Sequence, residues 1–140
     1  MIDTNAVIRS YLASDAGIVA IVGTRIHCPR LPEGCDLPAL GFFTRGGSAL
    51  QYHPEVVTPS IQLDCWADDL MEARSLYGAV YDAAHAHWGY TVTIDGVTYT
   101  INSMQEEVHG QDMMDVDGGG SFTGYWRVLT FYRVSIKVQP

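Results

Sequence analysis

The sequence predicts an α+β fold, in which a mostly antiparallel β-sheet carries N-terminal helices and one long helix on one face. Three segments support this prediction. Residues 60–67 (SIQLDCWA) alternate between two faces, as in a strand with one buried side. Residues 69–86 place apolar side chains at helical spacing, and residues 90–101 (YTVTIDGVTYTI) have the composition of a β-hairpin. A length of 140 residues fits one hydrophobic core, so residues 1–140 are expected to form one domain.

Two short helices are predicted before the first strand. Asp3 or Thr4 can cap the first helix. Its apolar residues recur at spacings of three and four: Val7, Ile8, Tyr11 and Leu12. The segment AGIVAIV (16–22) predicts a second helix that ends at Gly23.

The long helix has the clearest start signal in the chain. Asp69 followed by Glu72 is a capping box, and the helix is expected to run to about Ala86. One stripe of side chains faces the sheet: Ala73, Leu76, Tyr77, Val80 and Ala84. Gly78 in its interior costs about 1 kcal/mol relative to alanine, so we expect a close helix–sheet contact there.

Five further segments complete the predicted order of elements. Residues 29–38 contain three prolines and predict an extended connector, which leads into a strand at 39–45. Asp95-Gly96 predicts the tight turn of the hairpin. Residues 46–58 and 106–122 are predicted to be long loops.

Residues 124–138 predict a long final strand with two different faces. One face is mainly apolar: Trp126, Val128, Tyr132, Val134, Ile136 and Val138. The other face interleaves basic and aromatic side chains: Tyr125, Arg127, Leu129, Phe131, Arg133 and Lys137. Arginine and aromatic residues are enriched in protein–protein interfaces, so a neighbouring molecule is expected to cover part of this second face.

The segment 109–121 (HGQDMMDVDGGGS) offers a histidine and three aspartates beside three glycines. The calcium loop of an EF-hand needs oxygen ligands at positions one, three and five and a glutamate at position twelve. Counted from Asp115, position three is Asp117, but position five is Gly119 and position twelve is Trp126. Consecutive glycines also raise the entropic cost of fixing any coordination geometry. The segment therefore predicts a mobile, acidic loop that contacts a partner protein. A small metal-dependent hydrolase or ligand-binding domain that uses His109 and the 109–117 aspartates remains the alternative from a different class.

No catalytic, cofactor-binding or metal-binding residues are predicted, and the chain is not expected to be an enzyme. It contains no GxSxG motif and no phosphate-binding loop. His85 and His87 are two residues apart, which points them to different sides of a helix. Cys28, Cys35 and Cys65 are an odd number without paired spacing, which favours reduced thiols in a cytoplasm.

Charge argues against free-standing nucleic-acid binding. The net charge is −8, with one lysine and seven arginines, and no basic stripe is visible in the sequence. The N-terminal segment carries Asp3, Asn5 and Arg9 where a signal peptide needs an apolar run. No stretch approaches the length of a membrane span, so no membrane partner is expected.

The order of three segments resembles a known family. The first is LASDAGIVAIVGTRIHCPRLPEGCDLPALGF, the second is SIQLDCWADDLMEARSLYGAVYDAAH, and the third is YWRVLTFYRVSIK. Together they are similar to the tail-completion, or tail-terminator, proteins of long-tailed bacteriophages and related prophages. The resemblance spans nearly the whole chain.

This resemblance implies an α+β subunit made in the host cytoplasm, which forms a hexameric ring at the head-proximal end of the tail tube in the neck of the virion. The ring would end tube polymerisation and contact the tube protein and the head–tail connector or stopper. Genome DNA would pass through it without specific binding. A neighbouring head-completion or stopper protein is the alternative within the same class.

Ten residues are predicted to contact other subunits or partners. They lie in the two predicted loops and on the basic–aromatic face of the final strand: Tyr52, His53, Val56, His109, Met113, Met114, Asp115, Phe122, Arg127 and Arg133.

Overall fold

The structure is a computed structural model that describes residues 3–29, 31–32, 34–50, 53–85, 89–116 and 124–139. The helices in this part are α1 (Thr4–Ser14), α2 (Ala16–Val22) and α3 (Leu70–Ala84). The strands are β1 (Ile26–His27), β2 (Ala39–Leu50), β3 (His53–Ala67), β4 (Tyr90–Ile94), β5 (Val97–Val116) and β6 (Gly124–Val138). They form one sheet in the order β1-β2-β3-β6-β5-β4, in which only the β1–β2 pair is parallel. The predicted α+β fold is confirmed.

An aspartate caps each helix. The side chain of Asp3 accepts a hydrogen bond from the Ala6 amide, that of Asp15 from Ile18, and that of Asp69 from Met71. These carboxylates satisfy amides that have no partner inside the helix. Gly23, with φ 60°, caps the C-terminal end of α2, as predicted. Helix α3 ends at Ala84, two residues before the predicted Ala86.

The predicted hairpin is confirmed. Strands β4 and β5 pair from Ile94 with Val97 to Tyr90 with Ile101. The two turn residues Asp95 and Gly96 have φ values of 51° and 80°. Positive φ at both positions is the geometry of a primed two-residue turn, which the Asp-Gly pair favours.

The hydrophobic core lies between the three helices and one face of the sheet. The stripe predicted for α3 is buried, and so are the alternate residues predicted for the strand at 60–67. The final strand contributes Val128, Tyr132, Val134 and Ile136, each with 0% of its surface exposed. Burial on every second residue of β3 and β6 therefore fixes which sheet face meets the helices.

The prediction of a loop at 46–58 is wrong for its described part, and residues 51–52 lie outside the described residues. Strand β2 continues to Leu50 and β3 begins at His53, so the two strands pair across most of this range. A β-bulge between Thr44 and Gly47 accommodates the glycines. At Gly47, φ is 124° and an added Cβ would lie 2.3 Å from the Thr58 carbonyl oxygen. The glycine therefore permits a close approach of two strands.

The prediction of a loop at 106–122 is wrong for its described part. Strand β5 extends to Val116 and pairs with β6 as far as Gly124. Residues 117–122 lie outside the described residues. The long β6 strand supplies hydrogen-bond partners to the acidic segment, and this pairing overrides its low strand propensity.

Two smaller points concern the helices. An added Cβ at Gly78 would meet no atom within 4 Å, so the expected close helix–sheet contact at this glycine is wrong. Within the described part of the chain, no single helix is long and apolar enough to cross a membrane. Helices α1 and α2 reach that length and composition only when counted together across an 87° bend.

Candidate interaction surface

The sheet face opposite the helices carries a mixed apolar and basic surface, which we call the open sheet face. Strand alternation and register assign its members: Phe43, Arg45, Val56, Gln62, Asp64, Trp66, Val108, Met113, Arg127, Leu129, Phe131, Arg133 and Lys137. Most of these side chains are partly or fully exposed, whereas their neighbours in sequence on β3 and β6 are buried. Leu31 from the 29–38 connector reaches one corner, where its Cδ2 would lie 3.8 Å from a Cβ added at Gly41.

The centre of the open sheet face is a row of side chains that register places side by side across four strands. Phe43 lies opposite Gln62, Gln62 opposite Phe131, and Phe131 opposite Val108. Val108 is 47% exposed. We call Phe43, Phe131 and Val108 the apolar row, and its solvent exposure is the kind of feature that marks an interaction site.

Arginines pack against the aromatic side chains of this face. The Arg45 guanidinium carbon lies 4.3 Å from the centre of the Phe131 ring, and that of Arg127 lies 5.0 Å from the Trp66 ring. Both distances are within the range of a cation–π interaction. These contacts restrict the arginine side chains, which reduces the entropy lost when a partner binds.

Asp64 is a carboxylate buried within this face, with 7% of its surface exposed. Its Oδ1 lies 3.6 Å from Nη1 of Arg127, and its Oδ2 accepts a hydrogen bond of 3.3 Å from Gln62. Arg127 also donates to the Met113 sulfur at 3.6 Å. Because a buried carboxylate is costly unless it is paired, Arg127 acts here as a structural residue.

The open sheet face is locally basic in an acidic chain. Four of the eight basic residues lie on it: Arg45, Arg127, Arg133 and Lys137. Two acidic side chains among the described residues also lie on this face. They are Asp64 and Glu107, and Glu107 is placed there by the hydrogen bond that it accepts from Ser60. Four positive and two negative charges leave about +2 on this face, whereas the whole chain carries −8. The remaining surface is therefore strongly acidic.

The structure brings together four of the ten predicted interface residues. Val56, Met113, Arg127 and Arg133 share the open sheet face.

The other six lie elsewhere along the described strands or outside the described residues. His109 and Met114 lie on the helix-bearing side, since His109 contacts Tyr77 and Met114 pairs with Trp126. His53 begins β3, and Asp115 pairs with Tyr125 near the end of β5. Tyr52 and Phe122 lie outside the described residues.

A second polar group, which we call the tyrosine hub, joins α3 to β5. Its members are Tyr77, Glu106, His109, Gly110 and Thr130. The Tyr77 hydroxyl donates to Glu106 Oε2 at 2.5 Å and accepts from the Gly110 amide at 3.0 Å. Thr130 also donates to Glu106 Oε2, at 3.0 Å. The hub lies where β-bulges interrupt the β5–β6 register between Glu106 and Gln111.

His109 completes the hub. Its Nδ1 lies 2.9 Å from Glu106 Oε1 and 3.0 Å from the Tyr77 hydroxyl. Because Tyr77 already donates its proton to Glu106, these contacts assign a proton to Nδ1 of His109. Burial, followed by the hydrogen bond to Glu106, raises the pKa of Tyr77 far above its usual value. The hub is a structural network that ties the bulge to α3.

Helix α3 also protects the edge of β5 that β4 leaves uncovered. The Glu106 amide donates to Nδ1 of His85 at 3.3 Å, and the Gly110 carbonyl accepts from Arg74 at 3.2 Å. Arg74 further pairs with Asp112 at 2.7 Å. Exposed strand edges promote unwanted pairing, and side chains from a helix satisfy this one. Sequence reasoning missed the hub because its members are distant in the chain.

Two of the residues considered for a metal site at 109–117 have other partners in the structure, and residue 117 lies outside the described residues. His109 and Asp112 belong to a strand, where they contact Glu106 and Arg74 respectively. Among the residues that the structure describes, no group of three histidine, cysteine or carboxylate side chains could hold a metal ion.

Comparison with models of known families gives no match, and comparison with curated proteins gives none either. Among solved structures, the chain is similar to a chain of the "Virion of native gene transfer agent (GTA) particle". The TM-score is 0.61 and the sequence identity 14%, and the match covers 96% of this chain and 94% of that chain. The two chains share a fold. The likeness extends over nearly the full length of both.

Proposed function

We propose that this chain is a structural subunit of a tailed-phage-type virion and that it acts as a tail terminator. The observation that carries the proposal is the fold shared with a chain of a virion particle, over 96% of this chain and 94% of the other. The segment order that resembles tail-completion proteins supports the same role from the sequence. No enzymatic activity belongs to this role.

In this proposal, six copies form a ring on the head-proximal end of the tail tube, in the neck region. One side of the ring contacts the last layer of tube protein and stops further addition. The other side contacts the head–tail connector or stopper. The acidic net charge of −8 suits a ring through which DNA passes, because a negative lumen repels phosphates and lets the genome slide.

The open sheet face supports an assembly role. It combines exposed apolar residues with pre-positioned arginines, which is the composition of a protein interface. The tyrosine hub ties the bulged segment of β5 to α3, so this part of the sheet keeps a fixed shape. A rigid surface loses less entropy on binding than a mobile loop would.

The proposal is tested by electron microscopy of tail tubes assembled without this protein and then mixed with it. We expect added density at one end of each tube, with sixfold symmetry in end-on averages. The fold-matched control is a variant that reverses the charge of the open sheet face, Arg45→Glu with Arg133→Glu. Bare tube ends after incubation with the wild-type protein would refute the terminator role. Density only on isolated connectors would favour the stopper protein instead.

A further inference from the structure

The N-terminal end of α3 carries an exposed apolar side chain among carboxylates. Met71 is 78% exposed, the largest exposure among the large apolar residues that the structure describes. Asp68, Asp69 and Glu72 surround it in sequence, and all three are exposed. We call Asp68, Asp69, Met71 and Glu72 the acidic helix end. Within the described residues, no basic side chain forms an ion pair with it.

The open sheet face has the complementary pattern. Its apolar row, Phe43, Phe131 and Val108, lies beside a basic row that contains Arg45 and Arg133. An apolar side chain ringed by carboxylates fits an apolar strip flanked by arginines, because both the buried area and the charges match.

We propose that the open sheet face of one copy binds the acidic helix end of a second copy. Helix α3 packs on the opposite face of the sheet, since Ala73, Leu76 and Tyr77 enter the core there. Helix α3 and the apolar row therefore lie on opposite sides of the sheet within one chain. This contact rests on the proposed function, because it assigns the surfaces through which the ring subunits touch.

The charges also determine the symmetry of the contact. Two open sheet faces would repel each other, since each carries about +2, and two acidic helix ends would repel as well. A self-complementary twofold dimer through either surface is therefore disfavoured. A contact between two different surfaces joins subunits head to tail. Such a chain of subunits closes into a ring when the rotation between neighbouring subunits allows closure.

Reciprocal charge reversal tests this contact with the full-length protein. One variant combines Arg45→Glu with Arg133→Glu, and the other combines Asp68→Lys with Glu72→Lys. Sedimentation velocity and native mass spectrometry measure the assembly state of each. We expect the wild type to associate and each variant alone to dissociate, with a dissociation constant raised by roughly tenfold or more, because like charges then face each other.

The decisive measurement is the equimolar mixture of the two variants. The negative face of the first then meets the positive helix end of the second, while the other two surfaces keep their original charges. We expect association to return, with alternating copies and only even-numbered assemblies. A general loss of stability in either variant would not be rescued in this way, so the mixture separates a docking effect from misfolding.

Matched controls reverse charges outside both surfaces. Asp82→Lys changes an exposed carboxylate on the same helix, and Arg9→Glu changes an exposed arginine on α1. Both are expected to associate like the wild type. Added salt should weaken the wild-type assembly, since the exposed charges that flank Met71 are screened.

Three outcomes would overturn the inference. They are a wild type that stays monomeric up to about 1 mM, a mixture that stays monomeric, or charge-reversed variants that assemble normally. Salt-dependent binding of duplex DNA that is lost in the Arg45→Glu/Arg133→Glu variant, without self-association, would assign the face to nucleic acid. Different results test the contact and the proposed function. Self-association without tube-end density would refute the terminator role alone. Tube capping by the charge-reversed variants would refute this contact alone.

Discussion

Replacing Tyr77 by phenylalanine removes one hydroxyl from the tyrosine hub and is expected to destabilise the fold. The hydroxyl donates to Glu106, whose side chain is 6% exposed, and accepts from the Gly110 amide. A hydrogen bond to a charged group contributes about 1.5–3 kcal/mol, and an amide left without a partner costs about 1–3 kcal/mol. Glu106 keeps Thr130 and His109 as partners, so we expect a loss of about 2–4 kcal/mol in the free energy of unfolding.

Urea unfolding at pH 7 measures this loss as a lower midpoint with an unchanged slope. The matched control is Tyr132→Phe. The Tyr132 hydroxyl is buried and has no hydrogen-bond partner among the described residues, so its removal should not lower stability. A Tyr77→Phe variant within about 0.5 kcal/mol of the wild type, the range of neutral surface changes, would refute the reasoning about the hub.

Three further predictions concern packing, capping and pH. Gly110→Ala should lower the free energy of unfolding by about 1–3 kcal/mol in thermal or urea unfolding, because the added Cβ would lie 2.7 Å from Tyr77 Cζ. Gly78→Ala, with open space around the added Cβ, should instead stabilise α3 by about 0.5–1 kcal/mol. Equal effects of the two substitutions would contradict both predictions. Asp69→Ala should cost about 1 kcal/mol, measured in the same way, because the first-turn amide of α3 loses its acceptor; an unchanged midpoint would show that this cap is dispensable. Burial, with a smaller contribution from Asp15, raises the pKa of Tyr11 to about 12. Tyrosine in the unfolded chain ionises near about 10, so the folded state holds this proton more tightly; the contribution is complete below about pH 10 and is lost as pH rises to about 12. Urea midpoints from pH 8 to 11.5 should fall less steeply in Tyr11→Phe than in the wild type, and identical slopes would exclude this contribution.

The segments that the sequence predicted correctly carry their signal locally. Helix α3 begins directly after its capping aspartate, and the Asp95-Gly96 turn is specified by two adjacent residues. The alternation at 60–67 and 124–138 likewise follows from the side chains of each strand. A local sequence pattern is sufficient where local geometry and burial favour the same structure.

The segments that were predicted to be loops depend on pairing with neighbouring strands, which include the distant strand β6. Near the start of β3, residues 56 and 57 pair with residues 137 and 136 of β6. The acidic end of β5 pairs with the first residues of β6. Gly46, Gly47 and the aspartates lower strand propensity in isolation. Hydrogen bonds between β2 and β3, and between β6 and its two neighbours, override this preference, and the local composition does not show them.

The open sheet face was predicted only in part, because some of its members come together only through strand pairing. Arginines interleaved with aromatic residues on β6 indicated a covered face, and Arg127 and Arg133 do lie on the open sheet face. Phe43, Arg45 and Trp66 join them only through the β2–β3–β6 register. The two predicted loops contributed few members because they are mainly strands, whose side chains divide between the two faces of the sheet.

The elongation of tail tubes in the presence of this protein tests the central claim most directly. Each tube offers one growing end, so a terminator should arrest growth at far less than one copy per tube subunit. The measurement is the distribution of tube lengths against added protein, taken by electron microscopy during polymerisation. We expect lengths to stop increasing once about one ring is present per tube end, in line with a closed cyclic assembly. Tubes that keep lengthening at every ratio would contradict the account.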